Sequence, residues 1–322
     1  MYKKVLVVCP GGAVTGGPEA MHYLVIILRR INIDAYIVYA PFSEKFRVSD
    51  FYREMNVPVG EYEDLSGNLI IFPEVNPMLA LNVKNAKAAI WWLSVDNFFY
   101  LKHKSWIRNK IRYLKQIFRG ERPTRGLKSL NKIIHFSQSR YSEDFLKKGG
   151  LTSIPFYEPI NQQFLLEGIN PGVPGRVDEI LFNPVKGKLV TDALIQKFPN
   201  IKFTPLKGFD RKGLTEKLGK AKLYIDFGHH PGRDRLPREA AMHGCCIVTG
   251  ILGAAQNMID VPINSEYKLD SSAPNFFSNF ESLVNDIFSN FPKHFETFEA
   301  YRSAIIDEPK RFQSQVEKYF LR

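Results

Sequence analysis

Tyr224-Ile225-Asp226-Phe227-Gly228-His229-His230-Pro231-Gly232-Arg233-Asp234-Arg235-Leu236-Pro237-Arg238-Glu239-Ala240-Ala241-Met242-His243-Gly244-Cys245-Cys246-Ile247-Val248-Thr249-Gly250 is the stretch on which the fold turns. Leu223 to Ile225 reads as a strand, Leu236 to His243 as a helix and Cys246 to Val248 as the next strand, with Gly and Pro marking the loop between strand and helix. A loop that follows a parallel strand lies at the carboxyl edge of its sheet, where open α/β sheets bind ligands. The helix N-terminus there offers free N–H groups to an anion.

Working outward, the same alternation continues upstream: strand Ile180 to Phe182, a helix over about 187–198, strand Ile201 to Phe203 and a helix over about 211–218. A second series occupies the first half, with short apolar runs at Val5 to Val8, Ala35 to Tyr39, Leu69 to Phe72, Ala88 to Leu93 and Ile133 to Phe136. Pro18 suits a helix opening, and Ala20, Met21, Leu24, Leu28 and Ile31 recur at helical spacing. Alternation of this kind predicts parallel sheets covered by helices. At 322 residues the chain accommodates two α/β domains. The expected divisions are an N-terminal domain over 1–160, a Pro- and Gly-rich connector over 161–178, a C-terminal domain over 179–295 and helices over 296–322 that return to the first domain.

Composition is ordinary for a globular protein, with 44% hydrophobic and 24% charged residues. Three cysteines, two of them adjacent, argue against a disulfide framework and for a reducing compartment. The opening apolar run Val5 to Val8 is too short for a signal-peptide core or a membrane span, so a cytoplasmic chain is expected. The formal charge is +11, and the segment from Lys102 to Lys128 alone holds ten basic residues against one acid. There Ile107, Ile111, Leu114 and Phe118 form a helical stripe beside Trp106, flanked by Arg108, Arg112, Lys115 and Arg119. Such a helix can lie on the anionic inner face of a membrane; the plainer reading packs the stripe on the first domain and solvates the charges. Interleaved stacking aromatics and nucleic-acid motifs are missing, so nucleic acid is not expected as a partner.

The segment quoted first resembles the nucleotide-sugar signature of the bacterial group-1, retaining-type glycosyltransferases. The resemblance implies the GT-B fold, two Rossmann-like α/β domains facing across a cleft. It also implies that Glu239 accepts hydrogen bonds from the donor ribose, a role that suits an acceptor-only carboxylate. The bland alternative is a surface carboxylate near Arg235 and Arg238. The family carries a glutamate eight positions earlier, where this chain has Pro231; Asp226, Asp234 or the pair His229-His230 could supply the polar group instead. By the same resemblance Lys186, in Asn183-Pro184-Val185-Lys186-Gly187, meets the donor diphosphate, with Arg233 or Arg235 sharing the charge. Thr249, Gly253 and Ala254 fall in a tight loop that approaches donor sugar and phosphate by backbone, and Lys207-Gly208 in the region that contacts the base.

In the first half, Gly11-Gly12-Ala13-Val14-Thr15-Gly16-Gly17 matches neither the dinucleotide fingerprint nor a Walker loop. It resembles the family's glycine-rich loop, through Gly16 and Gly17, though a purely conformational turn reads nearly as well. Asp96, just past Trp91-Trp92-Leu93-Ser94-Val95, is the candidate for orienting the acceptor hydroxyl; a helix cap is the competing reading. With Asp226 and His229 it completes the candidate catalytic set. No Asp-x-Asp motif occurs, and the adjacent histidines lack a third ligand at a recognisable spacing, so no metal and no cofactor are expected. The function expected is transfer of a sugar from a nucleoside diphosphate sugar to a hydroxyl acceptor, a lipid-linked or surface glycan. A GT-B sugar-nucleotide epimerase and a non-catalytic glycan- or nucleic-acid-binding protein are the alternatives.

Overall fold

A computed structural model describes residues 2–44, 46, 48–98, 126–168 and 172–321 in full, and 99–100 as backbone. The basic stripe of Trp106, Ile107, Arg108, Arg112, Lys115, Phe118 and Arg119 lies outside the described residues. The chain divides into two compact units, Met1–Glu158 with Lys310–Arg322, and Pro159–Pro309.

The first unit holds a six-stranded sheet whose described pairings are all parallel. Its strands are β1 (Val5–Pro10), β2 (Ala35–Ala40), β3 (Leu69–Pro73), β4 (Lys87–Trp92), β5 (Ile134–Ser137) and β6 (Ile154–Pro155), in the order β2-β1-β3-β4-β5-β6. A parallel sheet covered on both faces needs strands that are apolar throughout, and β1 shows how the two-residue period divides them. Val5, Val7 and Cys9 pack on one side with Leu24 and Leu28 of the helix Gly16–Arg30. Leu6 and Val8 pack on the other with Phe72, Trp92 and Leu146. Phe312, Val316 and Phe320 join the first of these cores. Phe312 stacks on Trp91 at 5.8 Å and on Tyr23 at 5.7 Å.

The second unit carries four parallel strands, β7 (Val177–Phe182), β8 (Lys202–Pro205), β9 (Ala221–Asp226) and β10 (Cys246–Thr249), in the order β10-β9-β7-β8. Leu181, Leu223, Ile225, Ile247 and Val248 are fully or almost fully buried and share one core with Phe280, Val284 and Ile287 of the helix Phe276–Ser289.

Strand order fixes where each sheet can hold a ligand. Chain connections that leave neighbouring strands toward opposite sides open a crevice at their carboxyl ends. In the first unit that point lies between β1, which continues to β2, and β3, which continues to β4. In the second it lies between β7, which continues to β8, and β9, which continues to β10. Every sequence-predicted strand is present. The short β6 lies just upstream of the expected connector, in a stretch whose prolines hide it. All three cysteines are free and buried.

Candidate functional site

The loops after β7 and β9 meet at the switch point of the second sheet. Gly187 stands in the left-handed region at φ 63°, and a Cβ there would lie 2.6 Å from the backbone of Phe227 and Gly228. Only glycine lets the two loops touch in this way. Lys186 therefore arrives beside the end of β9, where its Nζ forms an ion pair with Asp234 Oδ2.

Asp226 ends β9 and Asp234 immediately precedes the helix Arg235–Met242, with His230 between them in the chain. His230 is fully buried. Its Nε2 is 3.6 Å from Asp226 Oδ1 and its Nδ1 3.5 Å from Asp234 Oδ2. Asp226 Oδ1 accepts the Gly228 N–H at 2.9 Å, and the Tyr224 hydroxyl lies 3.3 Å from Oδ2. Burial opposes charge on both partners, yet the flanking carboxylates hold His230 above the ordinary histidine value. His230, the Gly228 N–H and Lys186 likewise hold Asp226 below the ordinary carboxylate value despite its burial. Burial, and then Asp226, Asp234 and Glu239, push the Tyr224 phenol far up, so Glu239 shares the same electrostatic neighbourhood.

Glu239 sits on the helix Arg235–Met242 and is 8% exposed. Arg238 and Arg233 are anchored to Glu308: Arg238 Nη1 donates to Oε2 at 2.7 Å, and Arg233 Nη2 pairs with Oε1. Arg238 also donates to the carbonyls of Arg233 at 2.7 Å and Asp234 at 3.2 Å, fixing the loop that leads into the helix. Arg233, expected at a diphosphate, thus has its guanidinium buried against Glu308, whereas Arg235 is partly exposed at the helix start. His229 is exposed beside the buried His230.

The loop after β10 closes over the same place. Gly253 has φ 66°, and a Cβ on it would stand 2.1 Å from the His230 carbonyl oxygen. His230 and this loop exchange backbone hydrogen bonds, His230 N–H to Leu252 and Ala254 N–H to His230. Thr249 is buried, and its hydroxyl has no hydrogen-bond partner among the described residues. Lys207 and Gly208 are exposed just past β8, at the same sheet edge. Glu239, Lys186, Asp226, Thr249, Gly253 and Ala254 thus come from separate stretches to one end of the second sheet.

In the first unit, Gly16 and Gly17 open the helix after β1, and Asp96 lies partly exposed in the first turn of the helix Val95–Tyr100. Sequence reading passed over Glu74, which follows β3 at that sheet's own switch point. Its buried carboxylate takes the Leu93 N–H at 3.1 Å and the Asn97 amide at 3.0 Å. Burial pushes it up to about 7, against the opposing effect of those donors. Sequence reading also passed over Asp226, His230 and Asp234 as a group. Their spacing of four residues was visible, but only the strand end and the loop path bring one ligand atom from each within 4.8 Å of the others.

No protein-family model matches the sequence, and no curated protein matches it either. Solved structures share its fold. The HepE protein of Anabaena in complex with UDP-glucose superposes with a TM-score of 0.62 at 12% identity, covering 98% of each chain. Sucrose-phosphate synthase from Thermosynechococcus elongatus gives 0.54 at 11%, covering 99% of this chain and 95% of its own. The T4 phage protein BGT in complex with UDP and Mn2+ gives 0.52 at 11%, covering 98% of this chain and 98% of its own. The two parallel-sheet α/β units therefore have the GT-B fold of glycosyltransferase structures.

Proposed function

We propose that the protein transfers a sugar from a nucleoside diphosphate sugar to a hydroxyl acceptor. The observation that carries this reading is the convergence of Lys186 and the Asp226–His230–Asp234 group at the switch point of the second sheet, with Glu239 in the electrostatic neighbourhood of Tyr224. The HepE and T4 phage structures that share the fold hold UDP-glucose and UDP, which supports a nucleotide as ligand.

In this reading Lys186 and Arg235 face the diphosphate, where a lysine neutralises charge gathering on the leaving group. Glu239 accepts the ribose hydroxyls, and Lys207 and Gly208 flank the base. The backbone at Thr249, Gly253 and Ala254 approaches the sugar and phosphate. His229 and Asp226 supply polar groups to the donor sugar. Asp96, Gly16 and Gly17 serve the acceptor, a lipid-linked or surface glycan, and the transfer retains configuration. The basic stripe, including Trp106 and Arg112, holds the protein at an anionic membrane surface. Among the described residues no helix is long and apolar enough to cross one.

Calorimetric titration of UDP and UDP-glucose tests the central role. A charge-assisted hydrogen bond contributes ~1.5–3 kcal/mol, so Glu239→Ala should weaken nucleotide binding about 10- to 100-fold, with the circular dichroism spectrum retained. Unchanged affinity would remove Glu239 from the donor site.

A further inference from the structure

Two carboxylates flank the buried imidazole of His230, and at 3.6 and 3.5 Å neither makes a hydrogen bond with it. Both ring nitrogens are buried without a hydrogen-bond partner among the described residues. An imidazole taken out of water in this state forfeits hydrogen bonds that the native structure ordinarily replaces. One ligand atom from each of Asp226, His230 and Asp234 lies within 4.8 Å of the other two, so small side-chain rotations bring all three to about 2.1 Å from one ion.

From this geometry we infer that Asp226, His230 and Asp234 bind one first-row divalent cation, of the Mn2+ or Zn2+ class. The mixed donor set selects the class: hard Ca2+ and Mg2+ prefer oxygen alone, whereas imidazole with carboxylates suits Mn2+ and Zn2+. One nitrogen of His230 takes the ion, alongside one oxygen from each of the two carboxylates. Gly228 and Tyr224 hold Asp226, and the hydrogen bonds from the loop around Gly253 hold the His230 backbone, so two of the ligands are fixed before the ion arrives.

The site itself stands on this geometry; its task rests on the donor reading proposed above. Asp226 and Asp234 bring two negative charges to the place assigned to a diphosphate, and Lys186, engaged with Asp234, brings one positive charge. Lys186 is about one-third exposed on a flexible stem. A divalent ion that takes over Asp234 balances the carboxylates and frees Lys186 to turn to the phosphates.

The test is Mn2+ titration of the full chain, followed by electron paramagnetic resonance of the free ion, with Zn2+ as competitor. One Mn2+ per chain is expected, displaced by Zn2+. Asp234→Asn, His230→Gln and Asp226→Asn should each weaken it at least ~10-fold, circular dichroism confirming the fold. Asp234, the most exposed of the three, keeps the test open if Asp226→Asn does not fold. The inference is overturned by binding weaker than about 1 mM, by several weak sites per chain, or by equal affinity in the folded variants. UDP titration with and without Mn2+ separates the two readings. One-to-one Mn2+ binding lost in the variants, with no UDP binding, upholds the cation site and removes the donor role; UDP binding without Mn2+ binding does the reverse.

Discussion

Replacing Glu308 by Gln should destabilise the second unit by about 3–5 kcal/mol, because it removes one charge from a buried trio without removing the other two. Glu308 and Arg238 are 1% exposed and Arg233 5%. Glu308 faces one guanidinium with each oxygen, at 2.7 Å to Arg238. Two charge-assisted hydrogen bonds at ~1.5–3 kcal/mol each give roughly 3–6 kcal/mol. Breaking a buried pair by removing one partner costs about 3–5 kcal/mol, so the two routes agree. For an m-value of about 2 kcal/mol per M, the urea midpoint should fall by roughly 1.5–2.5 M. All three tryptophans of the chain precede residue 158, and the two described, Trp91 and Trp92, are buried in the cores of the first unit, so their fluorescence reports on that unit. Glu308→Gln should therefore shift the second unit's transition in far-ultraviolet circular dichroism and leave the tryptophan transition in place. The triple change Glu308→Leu, Arg233→Met and Arg238→Met, which removes all three charges, should recover most of the loss. A shift worth under about 1 kcal/mol, or a triple variant no more stable than Glu308→Gln, would refute the reasoning.

Glu74 gives a pH dependence of definite sign. Its carboxyl lies at about 7 in the folded chain against an ordinary 4.5, so the native state holds a proton that the unfolded state has released. Its contribution is complete below pH 4.5 and is lost as pH rises through 7, on the order of 3 kcal/mol in all; Glu74→Gln should abolish that decline in urea unfolding from pH 5 to 8. Gly253→Ala places a Cβ against the His230 carbonyl at a left-handed backbone position, and a melting curve should show a loss of at least ~1–3 kcal/mol. Phe312→Ala empties a fully buried place beside Trp91, costing ~3–5 kcal/mol and changing tryptophan emission.

The sheets were legible because buried parallel strands are apolar from end to end and rich in β-branched residues, as Val5 to Val8 and Cys246 to Val248 are. Alternation with helical spacing then implied the fold class, and Lys186 and Gly187 could be placed at the carboxyl edge of the sheet just after β7. What escaped was the pairing of distant charges. Glu308 meets Arg233 and Arg238 from seventy and more residues away, and no periodicity announces such a contact. Asp226, His230 and Asp234 escaped for a related reason: a four-residue spacing signals a shared face on a helix, whereas here it runs along a loop whose path only the fold defines. Lys186 could be placed at the edge from sequence, but its partner Asp234 could not.

The stripe Phe312, Val316 and Phe320 has a consequence for the order of events at the ribosome. Strands β1 to β6 emerge early and the helix Gly16–Arg30 covers part of one face, yet the part of that face around Trp91, Phe136 and Phe156 stays uncovered until a segment made more than 150 residues later arrives. The unit encoded between them, Pro159–Pro309, contains its whole core by then. Vectorial synthesis ordinarily lets the leading domain finish first; here the insertion completes itself while the leading unit waits, exposing Trp91 and Phe156 to chaperones in the interval.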